Sequence, residues 1–279
     1  MDMKAITPAI GMQVSGIDLA KVSDADAGVL RAALIDRKVL VFRNQPITSP
    51  EYVRFMTIFG EVAQDDLVPH EGHPKELCIL RIRPKEKQYI NYWHMDYSFR
   101  PNPTPHLSLS AQTLPECGGD TLFTNLEAAY EGLDDDTKQR ISGLQTNHQV
   151  SPTQNGKARF SPEEYKAMTE GNPVRHPLVG RNPDNGRNYL FVNVPIFCRS
   201  ITGMENPEGD TLLASLYAHA QRPEFHFRLT WALNTLVVWE NTHCLHYPVS
   251  DYFPNERMMW RLATRAVTPP QAAWGLTHR

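Results

Sequence analysis

His94 and Asp96 stand two residues apart in Trp93-His94-Met95-Asp96-Tyr97-Ser98-Phe99. On a β-strand, residues i and i+2 project from one face, so an imidazole and a carboxylate spaced this way converge on one point. Such a pair offers two ligands to a divalent metal, and a distal histidine would supply the third. Two imidazoles and one carboxylate on one face of an octahedron leave three positions open, the arrangement that suits non-haem Fe(II) chemistry with O2. Alone the pair carries little weight. With 11 His and 31 acidic residues in 279, chance supplies about one such spacing. A half-buried strand with a hydrogen-bonded histidine accounts for it until other residues join.

The composition narrows the classes such a site can belong to. An apolar fraction of 41% and a charged fraction of 21% are those of an ordinary globular protein. The net charge of −3 comes without a basic block, which argues against nucleic acid as a partner. Cys78, Cys117, Cys198 and Cys244 are scattered without a Cys-x-x-Cys pair, so zinc-ribbon and dithiol redox readings fail. They suggest no disulfide framework either, and the first ten residues lack an apolar core of the signal-peptide kind. No run approaches 18 apolar residues, so no membrane span is expected, and the expected location is cytoplasmic.

The elements that must position the pair read as mainly β with decorating helices. Residues 10–19 suggest a short strand broken by glycines, and Ser23 caps a helix to about Ile35. Val39-Leu40-Val41-Phe42 reads as a fully buried strand, followed by a helix opened by Ser49-Pro50-Glu51. A strand, a turn at 115–120 and a second strand occupy 107–123. Residues 125–144 look helical. Residues 145–175 form a polar, lid-like excursion with a short helix near 162–168. Strands are expected at 187–194, 225–229, 235–239 and 258–267, with an amphipathic helix over 210–221. Short strands with inserted helices predict an antiparallel sandwich or barrel, a single domain over 1–279.

Three further pieces join the pair. Trp239-Glu240-Asn241-Thr242-His243-Cys244-Leu245-His246 runs a strand into a turn and offers a distal histidine. Arg257 and Arg261 share strand parity and face one side. Gly118-Gly119-Asp120-Thr121 is a glycine turn that presents a hydroxyl. Taken in order, Trp-His-x-Asp-x-x-Phe, Gly-Gly-Asp-Thr, Trp-x-Asn-x4-His and an arginine eleven residues later resemble the taurine/aryloxyalkanoate dioxygenase family of Fe(II)- and 2-oxoglutarate-dependent oxygenases. Val39–Gln45 and Phe59-Gly60-Glu61 match as well, so the resemblance spans roughly residues 10–267.

That resemblance implies a double-stranded β-helix, or jelly roll, with the metal inside one mouth. It implies Fe(II) on His94, Asp96 and His246, with 2-oxoglutarate as co-substrate and O2 in the remaining position. Arg257 would pair with the 5-carboxylate of 2-oxoglutarate and Thr121 would add a hydroxyl. Arg261 would lie nearer the metal and hold the 1-carboxylate or an acidic substrate, with Arg265 as its rival. The implied reaction decarboxylates 2-oxoglutarate to succinate and CO2 and hydroxylates a small organic acid, with C–O, C–N or C–S cleavage where the carbon bears such a group. Relatives also imply a homo-oligomer.

Substrate-pocket candidates are Asp65, Asn91, Tyr92, Phe99 and Phe197. Asp65 falls, aligned without gaps, where taurine dioxygenases carry a histidine for the sulfonate. His243, three residues before His246, faces the other way and reads as structural, and Trp-Glu-Asn departs from the family's Trp-Asp-Asn. Asp96 argues against halogenation, for which the carboxylate is absent. Two rival readings are a non-catalytic jelly-roll binding protein and a metal-assisted hydrolase. The intact Arg257 and Thr121 speak against the first, and the absence of His-Glu-x-x-His or a paired-carboxylate run against the second.

Overall fold

A computed structural model describes residues 1–64, 70–150, 153–154, 157–158, 161–169 and 173–273. Its largest sheet has seven strands, in the order Asp2–Ala5, Met12–Ser15, Val39–Phe42, Leu236–Glu240, His106–Thr113, Arg257–Ala263 and Cys78–Ile82. Pairing is antiparallel except between Met12–Ser15 and Val39–Phe42. A three-stranded sheet, His226–Leu229, Thr121–Asn125 and Cys244–Pro248, packs across from it.

Strand alternation explains how the two sheets share a core. Val39 and Val41 point inward to Phe123, Phe227, Trp239 and Met259, whereas Leu40 and Phe42 point outward beneath helices. That two-sided burial is why Val39–Phe42 reads as a continuous apolar run. The outer cover is formed by Asp24–Arg37, capped by the Ser23 hydroxyl on the Asp26 amide, and Ser49–Met56, opened by a Thr48/Glu51 capping box. Leu30, Leu34, Tyr52 and Phe55 are their buried contribution. On Arg257–Ala263 the same alternation sends Arg257, Met259, Arg261 and Ala263 to the inner face and Trp260 and Leu262 to the helical side.

Two expectations need correction. Residues 125–144 form two helices, Leu126–Glu131 and Asp135–Ile141. Gly132 ends the first where the Phe225 ring comes so close that a Cβ would lie 2.7 Å from it, and Asp134 caps the second. The 145–175 segment is not a free excursion, because Gln145–His148 pairs antiparallel with Val174–Pro177 and, on its other side, with Cys198–Ile201. The helix Pro162–Thr169 lies where the sequence places it. Asp2–Ala5 and Cys198–Ile201 lack a clear alternating pattern and escape the sequence reading.

Candidate active site

His94 does not sit on a regular strand. It makes a single antiparallel bridge to His246, each backbone N–H donating to the other's carbonyl at 2.9 and 2.8 Å. The chain then turns, with Tyr97 in the left-handed region at φ 58°. Two side-chain amides take over from strand neighbours. Asn193 Oδ1 accepts from the Met95 N–H and its Nδ2 donates to the Met95 carbonyl, at 3.1 and 2.9 Å. Asn241 does the same for Asp96, at 3.1 and 2.9 Å, and also donates to the Thr104 carbonyl. Both asparagines are fully buried, so their amides must be satisfied within the protein, and Asn193 also donates to Ser98 Oγ at 2.7 Å and accepts from the Val194 N–H at 2.8 Å.

The three candidate ligands meet as the sequence predicts. One donor atom from each of His94, Asp96 and His246 lies within 4.8 Å of the other two. The Tyr92 carbonyl accepts from His94 Nδ1 at 3.0 Å, which puts the ring proton there and leaves a lone pair on Nε2. That Nε2 lies 3.4 Å from Asp96 Oδ1. Burial holds the His246 imidazole neutral, lowering its pKa to about 3 with help from the neighbouring His94. Burial alone would raise Asp96, but the Arg261 guanidinium 2.9 Å from Oδ2, with His94 and His246, holds the carboxyl well below the ordinary range. Two imidazoles and a carboxylate form a donor set fit for a divalent cation of the Fe(II) or Mn(II) type, and His246 Nδ1 is buried without a partner among the described residues.

These groups open on a cavity of about 430 Å3 whose other wall carries Arg257. Arg257 is 7% exposed, yet its Nε and Nη2 have no hydrogen-bond partner among the described residues. Burial lowers its pKa, and the Trp231 ring lies 5.8 Å from the guanidinium carbon. The glycine turn makes room for it. Gly119, at φ 72°, would place a Cβ 3.2 Å from Arg257 Cδ and from the Tyr252 ring, and its N–H donates to Asp251 Oδ1 at 2.7 Å. Thr121 follows that turn on the three-stranded sheet. Its Oγ1 accepts from Trp231 Nε1 at 3.0 Å, which leaves the hydroxyl proton to donate into the cavity.

The remaining predictions divide. Phe99 and Phe197 line the cavity and stack at 5.8 Å between ring centres. Asn91 does not line it: the side chain is exposed and its Oδ1 accepts from the Ser250 N–H. Tyr92 is also absent from the lining, because its ring packs edge-on against His94 at 5.4 Å. Asp65 lies outside the described residues. Arg265 is exposed and 3.3 Å from Glu61, past the end of the Arg257–Ala263 strand, so it is no rival to Arg261. His243 turns away from the cavity, 3.2 Å from Glu240 and edge-on to Tyr189. Sequence reasoning passes over Tyr97, Ile90 and Val150 in the lining and over Asn193. The one available signal for Asn193 is a polar residue closing the apolar run Phe191-Val192.

A β-sandwich with a metal-ready triad and an unpaired buried arginine in one mouth defines the non-haem, 2-oxo-acid-using class of oxygenases. The chain belongs to the taurine catabolism dioxygenase TauD, TfdA family, whose model matches residues 2–263. It is 30% identical to the alpha-ketoglutarate-dependent 2,4-dichlorophenoxyacetate dioxygenase of Burkholderia sp. (strain RASC), over 81% of this chain and 80% of the relative. It is 28% identical to the (S)-phenoxypropionate/alpha-ketoglutarate-dioxygenase of Sphingobium herbicidovorans, over 99% of this chain and 98% of the relative. The crystal structure of AAD-2 in complex with Mn(II) and N-oxalylglycine superposes with a TM-score of 0.82 at 31% identity, covering 96% of this chain and 98% of that one. With such neighbours the two packed sheets are a double-stranded β-helix.

Proposed function

We infer that this chain is an Fe(II)- and 2-oxoglutarate-dependent oxygenase that hydroxylates a small organic acid and releases succinate and CO2. The observation that carries the reading is Arg257, a buried guanidinium with two unpaired nitrogens in the same cavity as three convergent ligand atoms. A buried unpaired cation is costly unless an anion completes it, and a guanidinium fork suits a carboxylate.

In this reading His94, Asp96 and His246 hold the iron, and Arg257 with the Thr121 hydroxyl holds the 5-carboxylate of 2-oxoglutarate. When bound, metal and co-substrate supply the activation of O2 and the oxidising power. The protein's own part is orientation and exclusion of water. The Tyr92 carbonyl fixes the His94 tautomer, and the Asn193 and Asn241 amides fix the backbone of Met95 and of the carboxylate ligand Asp96. Arg261 keeps Asp96 ionised and lies 3.4 Å from Tyr97 Oη on the cavity wall, where its positive charge suits an acidic substrate group. Ile90, Phe99, Val150 and Phe197 provide apolar walls for a hydrophobic substrate body. Cleavage of a C–O, C–N or C–S bond follows where the hydroxylated carbon bears that heteroatom.

Asp65 bears on the choice of acid. An aspartate where taurine dioxygenases use a histidine would repel a sulfonate, since like charges brought together in a site cost several kcal/mol. Taurine is therefore expected to be a poor substrate, and a small organic acid whose carboxylate meets Arg261 and whose hydroxyl, amine or ring meets Asp65 a better one. The experiment is succinate formation from 2-oxoglutarate with Fe(II), ascorbate and a panel of small acids, on wild type and Asp65→His. Gain of taurine turnover in Asp65→His supports the assignment, and efficient taurine turnover by the wild type defeats it. Full turnover after chelation of all metal would overturn the oxygenase reading as a whole.

A further inference from the structure

Behind Trp239, on the side away from the cavity, lies a group of charges that the reaction does not use. Lys38 is 0% exposed, and its ammonium bonds Glu127 at 2.7 Å, Glu240 at 2.9 Å and the carbonyl of Ile35. Glu127 is fully buried too, and accepts from Asn182 Nδ2 at 2.7 Å and Asn185 Nδ2 at 3.1 Å. Glu240 is completed by His243 Nδ1 at 3.2 Å. The backbone of Lys38 adds a further tie, its carbonyl accepting from the Glu240 N–H at 2.9 Å.

Lys38 occupies an unusual place for its type. It follows the helix Asp24–Arg37 at φ 66°, a left-handed position that glycine ordinarily fills. A lysine that accepts both backbone strain and complete burial needs a compensating role, and strained buried residues concentrate near functional sites. The next residue after Glu240 is Asn241, whose amide grips both backbone groups of Asp96 and the Thr104 carbonyl. The Asn241 N–H is itself anchored on the Pro105 carbonyl at 2.7 Å. Lys38 thus fixes Glu240 by side chain and main chain at the root of the turn that presents Asn241 and His246.

We propose that Lys38 is a positioning residue for the metal centre, acting through Glu240 to set the Asn241 amide on the backbone of Asp96. The proposal rests on the reading of His94, Asp96 and His246 as metal ligands. Outer groups that orient metal ligands commonly change affinity by 10- to 100-fold when replaced. Lys38 stands one link further out, so about tenfold is expected.

The test is Mn(II) binding without turnover, followed by EPR on the full chain after circular dichroism has established folding. Lys38→Met should weaken the Mn(II) Kd about tenfold. Asn241→Ala should weaken it at least as much, and Lys38→Met/Asn241→Ala should be no weaker than Asn241→Ala, because the two residues act in series. A folded Lys38→Met with wild-type Mn(II) affinity, or losses that add in the double variant, would overturn the proposal. If Lys38→Met does not fold, Glu240→Gln keeps the shape and an acceptor while removing the charge, and the same two criteria decide. Absence of Mn(II) binding by the wild type, or binding undiminished in His246→Ala, would instead sink the metal reading.

Discussion

Two clusters of buried charge lie on either side of the strand Leu236–Glu240, and they differ in completeness. On the Lys38 side the ammonium, Glu127 and Glu240 all find protein partners, and none of their polar atoms is left unpaired. On the cavity side Arg257 Nε and Nη2, His246 Nδ1 and Trp239 Nε1 have none among the described residues. Both clusters incur the cost of removing charge from water. Only the first recovers it within the chain. The unpaired atoms on the second therefore mark where a ligand belongs, and the saturated cluster marks where rigidity is built.

The largest way to break that contrast is to remove the unpaired cation. Arg257→Met leaves the 5-carboxylate of 2-oxoglutarate without its counter-charge, at a cost of about 3–5 kcal/mol, so 2-oxoglutarate should bind at least roughly two orders of magnitude more weakly. The same change should raise the melting temperature of the ligand-free protein, because it deletes a buried guanidinium two of whose nitrogens no described residue pairs. Titration calorimetry and thermal melts check both. A lower melting temperature together with unchanged 2-oxoglutarate affinity would dissolve the distinction between the two clusters.

The next effect is on pH. His148, His176 and His246 are buried and their pKa values are lowered, chiefly by burial, with His246 at about 3. A depressed histidine stays neutral in the fold while its unfolded counterpart protonates below about 6.5. Its contribution is thus present above that value and is lost as pH falls, by about 1.4 kcal/mol per pH unit for each group. Asp96, also depressed, contributes above the unfolded carboxylate value and loses that contribution only in strong acid, as pH approaches its folded value. Urea unfolding of the ligand-free protein should therefore show lower stability at pH 5.5 than at pH 7.5. Equal stability at the two pH values would contradict the neutral, buried imidazoles.

The smallest effect sharpens the contrast by control. Arg265 pairs with Glu61 on the surface, where such pairs contribute about 0–1 kcal/mol. Arg265→Ala should leave 2-oxoglutarate affinity unchanged in the same calorimetric titration that detects Arg257→Met.

How much of this was legible in the sequence depended on whether spacing alone carries the geometry. Arg257 and Arg261 were legible because they share a real strand, and Arg265 was misjudged because that strand ends at Ala263. His94 and Asp96 were legible as a pair although the strand assumed for them is a single bridge, its work done by Asn193 and Asn241. Asn91 lies outside the cavity because its side chain turns to the Ser250 N–H, a direction that residue type alone does not fix where the backbone is irregular. Lys38 could not be read at all. A lysine beside a buried strand is ordinarily exposed, and only the three-dimensional arrival of Glu127 and Glu240 makes its burial possible.

The central claim is that one cavity holds a divalent metal on His94, Asp96 and His246 and 2-oxoglutarate between that metal and Arg257. Anaerobic addition of Fe(II) and then 2-oxoglutarate tests it most directly, followed by visible absorption. The account predicts a weak charge-transfer band in the wild type, no band in His246→Ala, and in Arg257→Met a band that appears only at roughly a hundredfold more 2-oxoglutarate. A wild type that binds both without the band, or an Arg257→Met that develops it at the wild-type concentration, would contradict the account.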